Sequence, residues 1–343
     1  MSLAAPRNFA HLASVTLLLL AVHPALAQPS FQLPTANRAL LEPGGEERFF
    51  AATPGRDWHS GTFGCVRSDG WQLHEGLDIK SVTHDKKGEP TDPVLASADG
   101  TVAYLNRKAG LSNYGNYLVL CHRVEGIDIY TLYAHLREIA VRLKAGDSVK
   151  AGAEIGVLGR TSNTKQAITK DRAHVHFEIN LKLNDRFSEW QERALPGQRN
   201  DHGNWNGQNL AGLDPRAILL QQRTDGANYS LLKFIRSQTS LCRVLVRKTD
   251  FPWLRHYRPL IKRNPVAEKE GIAGYEVALN FNAVPFQLIP RAASEIKGKE
   301  KYQLLAVNEE EHKKNPARRL VARKGDKWEL TAHATQLLDL LTY

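Results

Sequence analysis

Long apolar runs are what this 343-residue chain most lacks. After residue 27 no stretch is long enough and apolar enough to cross a bilayer as a helix, so the mature chain is expected to hold no transmembrane segment. Cysteine is scarce, with only Cys65, Cys121 and Cys242. None of them stands directly after residue 27, which argues against a lipid anchor at that point. Net charge is missing from the middle of the chain. Residues 28–222 carry 23 Lys and Arg against 23 Asp and Glu, so the overall +10 comes from elsewhere. That segment also lacks the pattern of a long amphipathic helix, and residues 228–343 contain no catalytic constellation.

Hydrophobic content of 42% and charged content of 24% suit a soluble globular protein. The length favours two domains over one. Residues 1–27 have the form of an export signal: Arg7, the apolar run Ala13 to Val22, then Pro24 and the small-x-small site Ala25-Leu26-Ala27. An exported chain, periplasmic or secreted, meets an oxidising compartment, where Cys65–Cys121 is the parsimonious disulfide and Cys242 is left over. The excess positive charge sits in residues 223–343, with 22 Lys and Arg against 13 Asp and Glu, a net +9. Such a module suits an anionic envelope partner, unless it is only a solvated surface. Nucleic acid is not expected as a partner.

Residues 28–50 show no periodicity and read as an extended lead-in. Residues 51–222 break into short strands and glycine turns, as expected of an all-β antiparallel domain. Asp99-Gly100 predicts a hairpin between Val94–Ala96 and Thr101–Leu105, and Glu125-Gly126 another between Tyr117–Cys121 and Ile127–Tyr133. Residues 187–212, rich in Asn, Gln and Gly, read as an insertion loop that could wall a cleft or be mere decoration. Residues 228–343 read as a smaller α+β unit with strands near 241–246, 275–281, 302–307, 319–323 and 328–330. Thr331 is placed to cap a last helix.

Chemistry concentrates in two places. His174-Val175-His176-Phe177-Glu178-Ile179 alternates polar and apolar residues, the period of a half-buried strand. Residues two apart share a face, so His174, His176 and Glu178 point together. The plain alternative is an amphipathic strand with two incidental histidines. A hundred residues upstream, His74-Glu75-Gly76-Leu77-Asp78 brings a histidine and an aspartate to one side, with Gly76 allowing a turn or a close approach of backbone. His74, Asp78 and one histidine of the strand make a His₂Asp set. Three such ligands suit zinc and leave a fourth position for water. His135, at the end of the strand ending Tyr133-Ala134-His135-Leu136, and the unused strand histidine could serve proton transfer and charge stabilisation. Glu178 reads more readily as a surface or packing residue than as a partner of a ligand. His59, His84, His122, His202, His256, His312 and His333 lack partner motifs and read as structural or solvated.

His74-x-Gly-x-Asp78, Tyr-x-His135 and His174-x-His176, in this order, resemble the lysostaphin-type, LytM-like zinc endopeptidases that cut peptidoglycan cross-bridges. The segments 98–102 and 145–152 fit the same family. The resemblance covers about residues 55–185 and extends at most to 222. It implies a lysostaphin-like antiparallel β-sheet fold of the duplicated hybrid motif type for residues 51–222. It implies one Zn²⁺ per chain on His74, Asp78 and His176, with His174 and His135 acting on water and transition state. It also implies peptidoglycan as the substrate. Two segments depart from the family pattern: 159–172, with its long charged run, and 187–212. Other readings are a non-catalytic scaffold that activates a wall amidase and a secreted protease for glycine-rich proteins.

Overall fold

The computed structural model describes residue 1, residues 31–317 and residues 319–343. The expected export signal, apart from Met1, lies outside the described residues. Among them no helix is long and apolar enough to cross a membrane.

The organising element is a seven-stranded antiparallel sheet. Its strands are β3 (Leu77–Lys80), β5 (Gly100–Asn106), β6 (Asn116–Val124), β7 (Ile127–Leu136), β9 (Ser148–Val149), β11 (His174–Lys182) and β12 (Leu210–Leu213). The order is β12-β11-β7-β6-β5-β9, and β3 also pairs with β11. One edge of β11 is therefore shared: its first half meets β3 (His174↔Lys80 to Phe177↔Leu77) and its second half meets β12 (Ile179↔Leu213 to Lys182↔Leu210). Beside this sheet stand the hairpin of β1 (Gly64–Arg67) and β2 (Gln72–His74) and a three-stranded sheet of β4 (Pro93–Leu95), β10 (Glu154–Val157) and β8 (Glu138–Ile139). The mainly β, antiparallel architecture expected for residues 51–222 is present.

The Glu125-Gly126 hairpin forms as expected, with Val124 opposite Ile127. The Asp99-Gly100 hairpin does not. β4 pairs with β10, whereas β5 pairs with β6 and β9. The Asp99 carboxylate accepts hydrogen bonds from Ala151 N and Lys150 Nζ, so the chain crosses between two sheets there instead of reversing. Gly100 serves close packing: a Cβ on it would lie 2.6 Å from Cys121 O and from His122 Nδ1.

The expected lead-in is stitched into the core. Phe31, Leu33, Leu40, Phe49 and Phe50 are buried, and Phe50 bridges to Ile79. No disulfide joins Cys65 to Cys121. Cys65 sits on the β1–β2 hairpin, whereas Cys121 lies within the large sheet opposite Thr101 and Tyr130.

The last third builds a four-stranded sheet, β15-β14-β13-β16: β13 (Cys242–Val246), β14 (Gly274–Leu279), β15 (Pro285–Arg291) and β16 (Tyr302–Val307). β15 escapes a sequence reading because Pro285 and Pro290 mark it as a loop. A small hairpin, β17 (Val321–Lys324) with β18 (Lys327–Leu330), leads to the helix Ala332–Leu341, whose first turn Thr331 caps by accepting from Ala334 N. This unit shares one apolar core with the large sheet. Hydrogen bonds join the two: Lys182 N to Tyr257 Oη, Asn184 Nδ2 to Leu340 O and Asn282 Nδ2 to Gly212 O.

The segment 187–212 is also built structure. It holds a helix, Phe187–Ala194, and two short 3₁₀ turns before β12. Trp205 and Leu210 pack on Tyr117 and Tyr130, on the sheet face that carries His176 and Glu178. β11 is consequently buried along both faces and not half-buried as its alternation suggests.

The β5–β6 register makes a prediction. Gly100→Ala should cost about 1–3 kcal/mol through overpacking against backbone and imidazole. Gly126→Ala, at φ +83 with open space around it, should cost only its backbone strain, about 1 kcal/mol. Urea denaturation of both variants checks the order, and a reversed order would contradict this register.

Candidate metal centre

Register brings the site together. In the β3–β11 pairing His176 lies directly opposite Asp78, which sets imidazole beside carboxylate. His74, the last residue of β2, closes the group across Gly76. A Cβ on Gly76 would sit 2.3 Å from Phe177 O, so only glycine lets this backbone lie against β11. The result is a triangle of ligand atoms: His74 Nε2 to Asp78 Oδ1, His74 Nε2 to His176 Nδ1 and His176 Nδ1 to Asp78 Oδ1 each span 3.0 Å.

The other nitrogen of each imidazole is committed elsewhere. His74 Nδ1–H donates to Thr62 O at 2.7 Å, and His176 Nε2–H donates to Glu178 Oε1 at 2.9 Å. These bonds assign the tautomers and turn a bare lone pair from each ring toward the Asp78 carboxylate. Asp78 Oδ2 accepts from Arg67 Nη2 at 2.6 Å, and Arg67 Nε donates to Ser60 O, which fixes the guanidinium. Glu178 in turn accepts from Tyr114 Oη (2.8 Å) and Asn180 Nδ2 (2.9 Å).

This centre is dry. His74, Asp78, His174 and His176 retain 1%, 2%, 2% and 5% of their surface. Three lone pairs 3.0 Å apart in such a place repel one another unless a cation or a proton lies between them. The donor set, two neutral imidazoles and a carboxylate, is one that holds zinc at about 2.0–2.2 Å per ligand. It is also the His/Cys/Asp/Glu group in the described residues whose ligand atoms lie close enough to hold an ion. The residues present therefore fit a divalent cation.

The proton equilibria agree. Burial pushes His74 down, against the pull of Asp78. Burial opposes the charge of Asp78, yet His174, His74 and Arg67 hold its carboxyl well below the usual range. Burial would also lower His176, but the hydrogen bonds to Asp78 and Glu178 win and raise it to about 10. Without a cation, then, a proton on His176 fills the triangle.

His174 and His135 stand next to this group. His174 Nδ1–H donates to Arg172 O at 2.6 Å, leaving Nε2 bare and 3.5 Å from Asp78 Oδ2. Burial holds it down to about 4. His135, partly exposed, packs 4.9 Å from His174 ring to ring. Its Nδ1–H donates to Thr161 O, and burial with the two neighbouring imidazoles holds it well below its ordinary value. His135 adopts φ +60, a conformation rare outside glycine that clusters at functional sites. At neutral pH both rings are neutral and both present a bare Nε2.

All five side chains named from the sequence thus meet in one place. Glu178 was expected to be a surface or packing residue. It is instead buried and holds His176 in its tautomer, because the face it shares with the histidines is covered. Arg67 and Tyr114 had no signal in the sequence. Arg67 is two residues past Cys65 across a bulge, and Tyr114 precedes β6 in a turn, so neither spacing points to Asp78 or Glu178. The remaining histidines fall outside the centre: His122 bonds Asp99 O and Thr131 Oγ1, His256 pairs with Asp185, and His202 bonds Tyr104.

Residues 72–187 match the model of Peptidase family M23. A DD-carboxypeptidase/endopeptidase, Mpg, of Neisseria meningitidis is 32% identical over 111 residues, which is 32% of this chain and 21% of the relative. The cell division protein DipM of Caulobacter vibrioides is 32% identical over 108 residues, 32% of this chain and 14% of that protein. The match thus spans about a fifth or less of these curated relatives. Among solved structures, a zinc-containing peptidase from Vibrio cholerae is 29% identical, covering 31% of this chain and 26% of that one, with a TM-score of 0.23.

Two outcomes follow from the geometry. With His176 protonated up to about 10 in the metal-free protein, binding a divalent ion must expel one proton. Apparent affinity should rise about tenfold per pH unit between roughly pH 7 and 9, and calorimetry in buffers of different ionisation enthalpy reads the proton directly. No proton release would contradict this arrangement. Glu178→Gln should weaken zinc about 10–100-fold in a competitive chelator titration, with Tyr114→Phe affected less.

Proposed function

Because residues 72–187 match the model of Peptidase family M23, we propose that this protein is a zinc-dependent endopeptidase that hydrolyses peptide cross-links of bacterial peptidoglycan. The observation that carries the reading is the triangle of three bare ligand atoms in a dry pocket, with two neutral histidines beside it. His74, Asp78 and His176 would hold the ion. Bound there, zinc would supply Lewis acidity toward the scissile carbonyl and toward water.

The chain's own residues do the rest. His174, neutral with Nε2 bare, takes a proton from the attacking water. Once charged, it can pass that proton to the departing amine, the neighbouring Asp78 steadying the imidazolium. His135, whose Nδ1–H is spent on Thr161 O, accepts the water's other hydrogen and orients it. Arg67 and Glu178 lock the ligands from outside, so little reorganisation is needed during the reaction. The Neisseria relative's name supports wall peptides as the substrate class. The scaffold reading is disfavoured, because every ligand and both flanking histidines are in place with their supporting hydrogen bonds.

Digestion of purified sacculi, with the fragments identified by mass spectrometry, tests the proposal. The zinc-loaded protein should release muropeptides cut within their peptide cross-links. A chelator should abolish release. His174→Ala should lower kcat about 10²–10⁴-fold while retaining zinc. Full zinc occupancy with no muropeptide released from any wall would defeat the reading.

The envelope as location and an anionic partner for residues 223–343 belong to the same proposal, supported by the +9 charge of that segment. Lys297, Lys299, Lys324 and Lys327 are exposed on it. Replacing all four by Glu should weaken sedimentation with sacculi and flatten its salt dependence, while cleavage of a small soluble peptide is unchanged. Unaltered sedimentation would remove the partner.

A further inference from the structure

A cavity of about 400 Å³ adjoins the centre, and Arg67 is not among the residues that line it. Glu75 and Tyr114 form its near wall. Glu75 directly follows the ligand His74, and Tyr114 donates to the Glu178 carboxylate that holds His176. Leu183, Leu210 and Leu337 line it with aliphatic surface, and Gln336 of the last helix stands at its far side. The cavity is therefore made jointly by the sheet, the 187–212 segment and the C-terminal unit. Its volume falls in the range of small-molecule and side-chain pockets.

Its charge is the informative feature. In a chain with 46 Lys and Arg and a net charge of +10, no lysine or arginine lines this space. Its one carboxylate is Glu75, which accepts no hydrogen bond and joins no ion pair among the described residues. His333 is the other titratable base at the cavity, and it lies on the exposed rim. Basic groups meet the centre at Asp78 instead, because Arg67 binds Asp78 and Arg172 lies close enough to act on the same carboxylate. The centre thus has cationic neighbours at Asp78 and an anionic one at the cavity.

We propose that this cavity is a substrate subsite that receives an aliphatic side chain ending in an ammonium group, with Glu75 as the specificity-determining carboxylate. The methylene arm lies along the leucines, as long cationic side chains do, and the ammonium meets Glu75 in a charge-assisted hydrogen bond. The inference rests on the peptidase reading above and names a feature of the peptide it selects: a free amine on a diamino residue near the scissile bond.

The test uses the full-length, zinc-loaded protein and soluble cross-linked muropeptides, either native or with their free amines acetylated. The wild type should cleave the native form with a kcat/KM about 10–100-fold higher, mainly through KM. Glu75→Gln should cleave both forms alike. Gln336→Lys, which sets a competing ammonium in the cavity, should also lose the preference while retaining zinc. In the His174→Ala background, calorimetric binding of the two muropeptides should follow the same pattern. Equal cleavage of both forms by the wild type, or a preference that survives Glu75→Gln, overturns the subsite. Binding that discriminates while nothing is ever cleaved defeats the peptidase reading and leaves the subsite standing.

Discussion

Two imidazoles and a carboxylate aim unshared electron pairs at one another across 3.0 Å, inside a pocket that water barely reaches. That arrangement opposes folding unless positive charge sits among the three atoms. The surrounding structure keeps it from relaxing. Thr62 O and Glu178 hold the two rings in the tautomers that face inward, Arg67 ties down the far oxygen of Asp78, and Gly76 allows the backbone contact that brings His74 to β11. Each of these partners acts through a ligand, and each makes the group less able to rotate away from an ion. The same rigidity explains why a proton is held so firmly on His176 in the absence of metal.

How much of this was legible follows from the range of each interaction. The alternation over 174–179 places His174, His176 and Glu178 on one face, since that depends only on strand periodicity. The His74–Asp78 spacing and the Glu125-Gly126 hairpin are equally local. What failed was non-local. Asp99-Gly100 has the composition of a hairpin, but its carboxylate is used by Lys150 and Ala151, fifty residues away. The Cys65–Cys121 expectation rested on counting thiols, and a count carries no information on which side chains meet. Arg67 and Tyr114 could not be found because a cross-strand bulge and a turn, not a spacing, deliver them to Asp78 and Glu178. Glu178 was undervalued because strand alternation says which residues share a face and not what will cover it.

That cover changes the character of the site. Trp205 and Leu210 lie over the sheet face bearing His176 and Glu178, and the helix Ala332–Leu341 closes the far side of the adjoining cavity. Burying the face lowers the local dielectric, which strengthens each charge interaction at the centre. Burial likewise depresses His174 and His135 and keeps both rings neutral near pH 7. The helix of the last third and the 187–212 segment together wall the cavity that Glu75 and Tyr114 also line.

The distribution of charge around that cavity then has directional consequences. Arg67 and Arg172 act on Asp78, while Glu75 is the one carboxylate lining the adjoining cavity, so charge is unevenly distributed around the centre. In a pocket with little water such a distribution is weakly screened. A bound chain would be oriented by it before any specific hydrogen bond forms, with anionic groups drawn toward Arg67 and Arg172 and cationic groups toward Glu75.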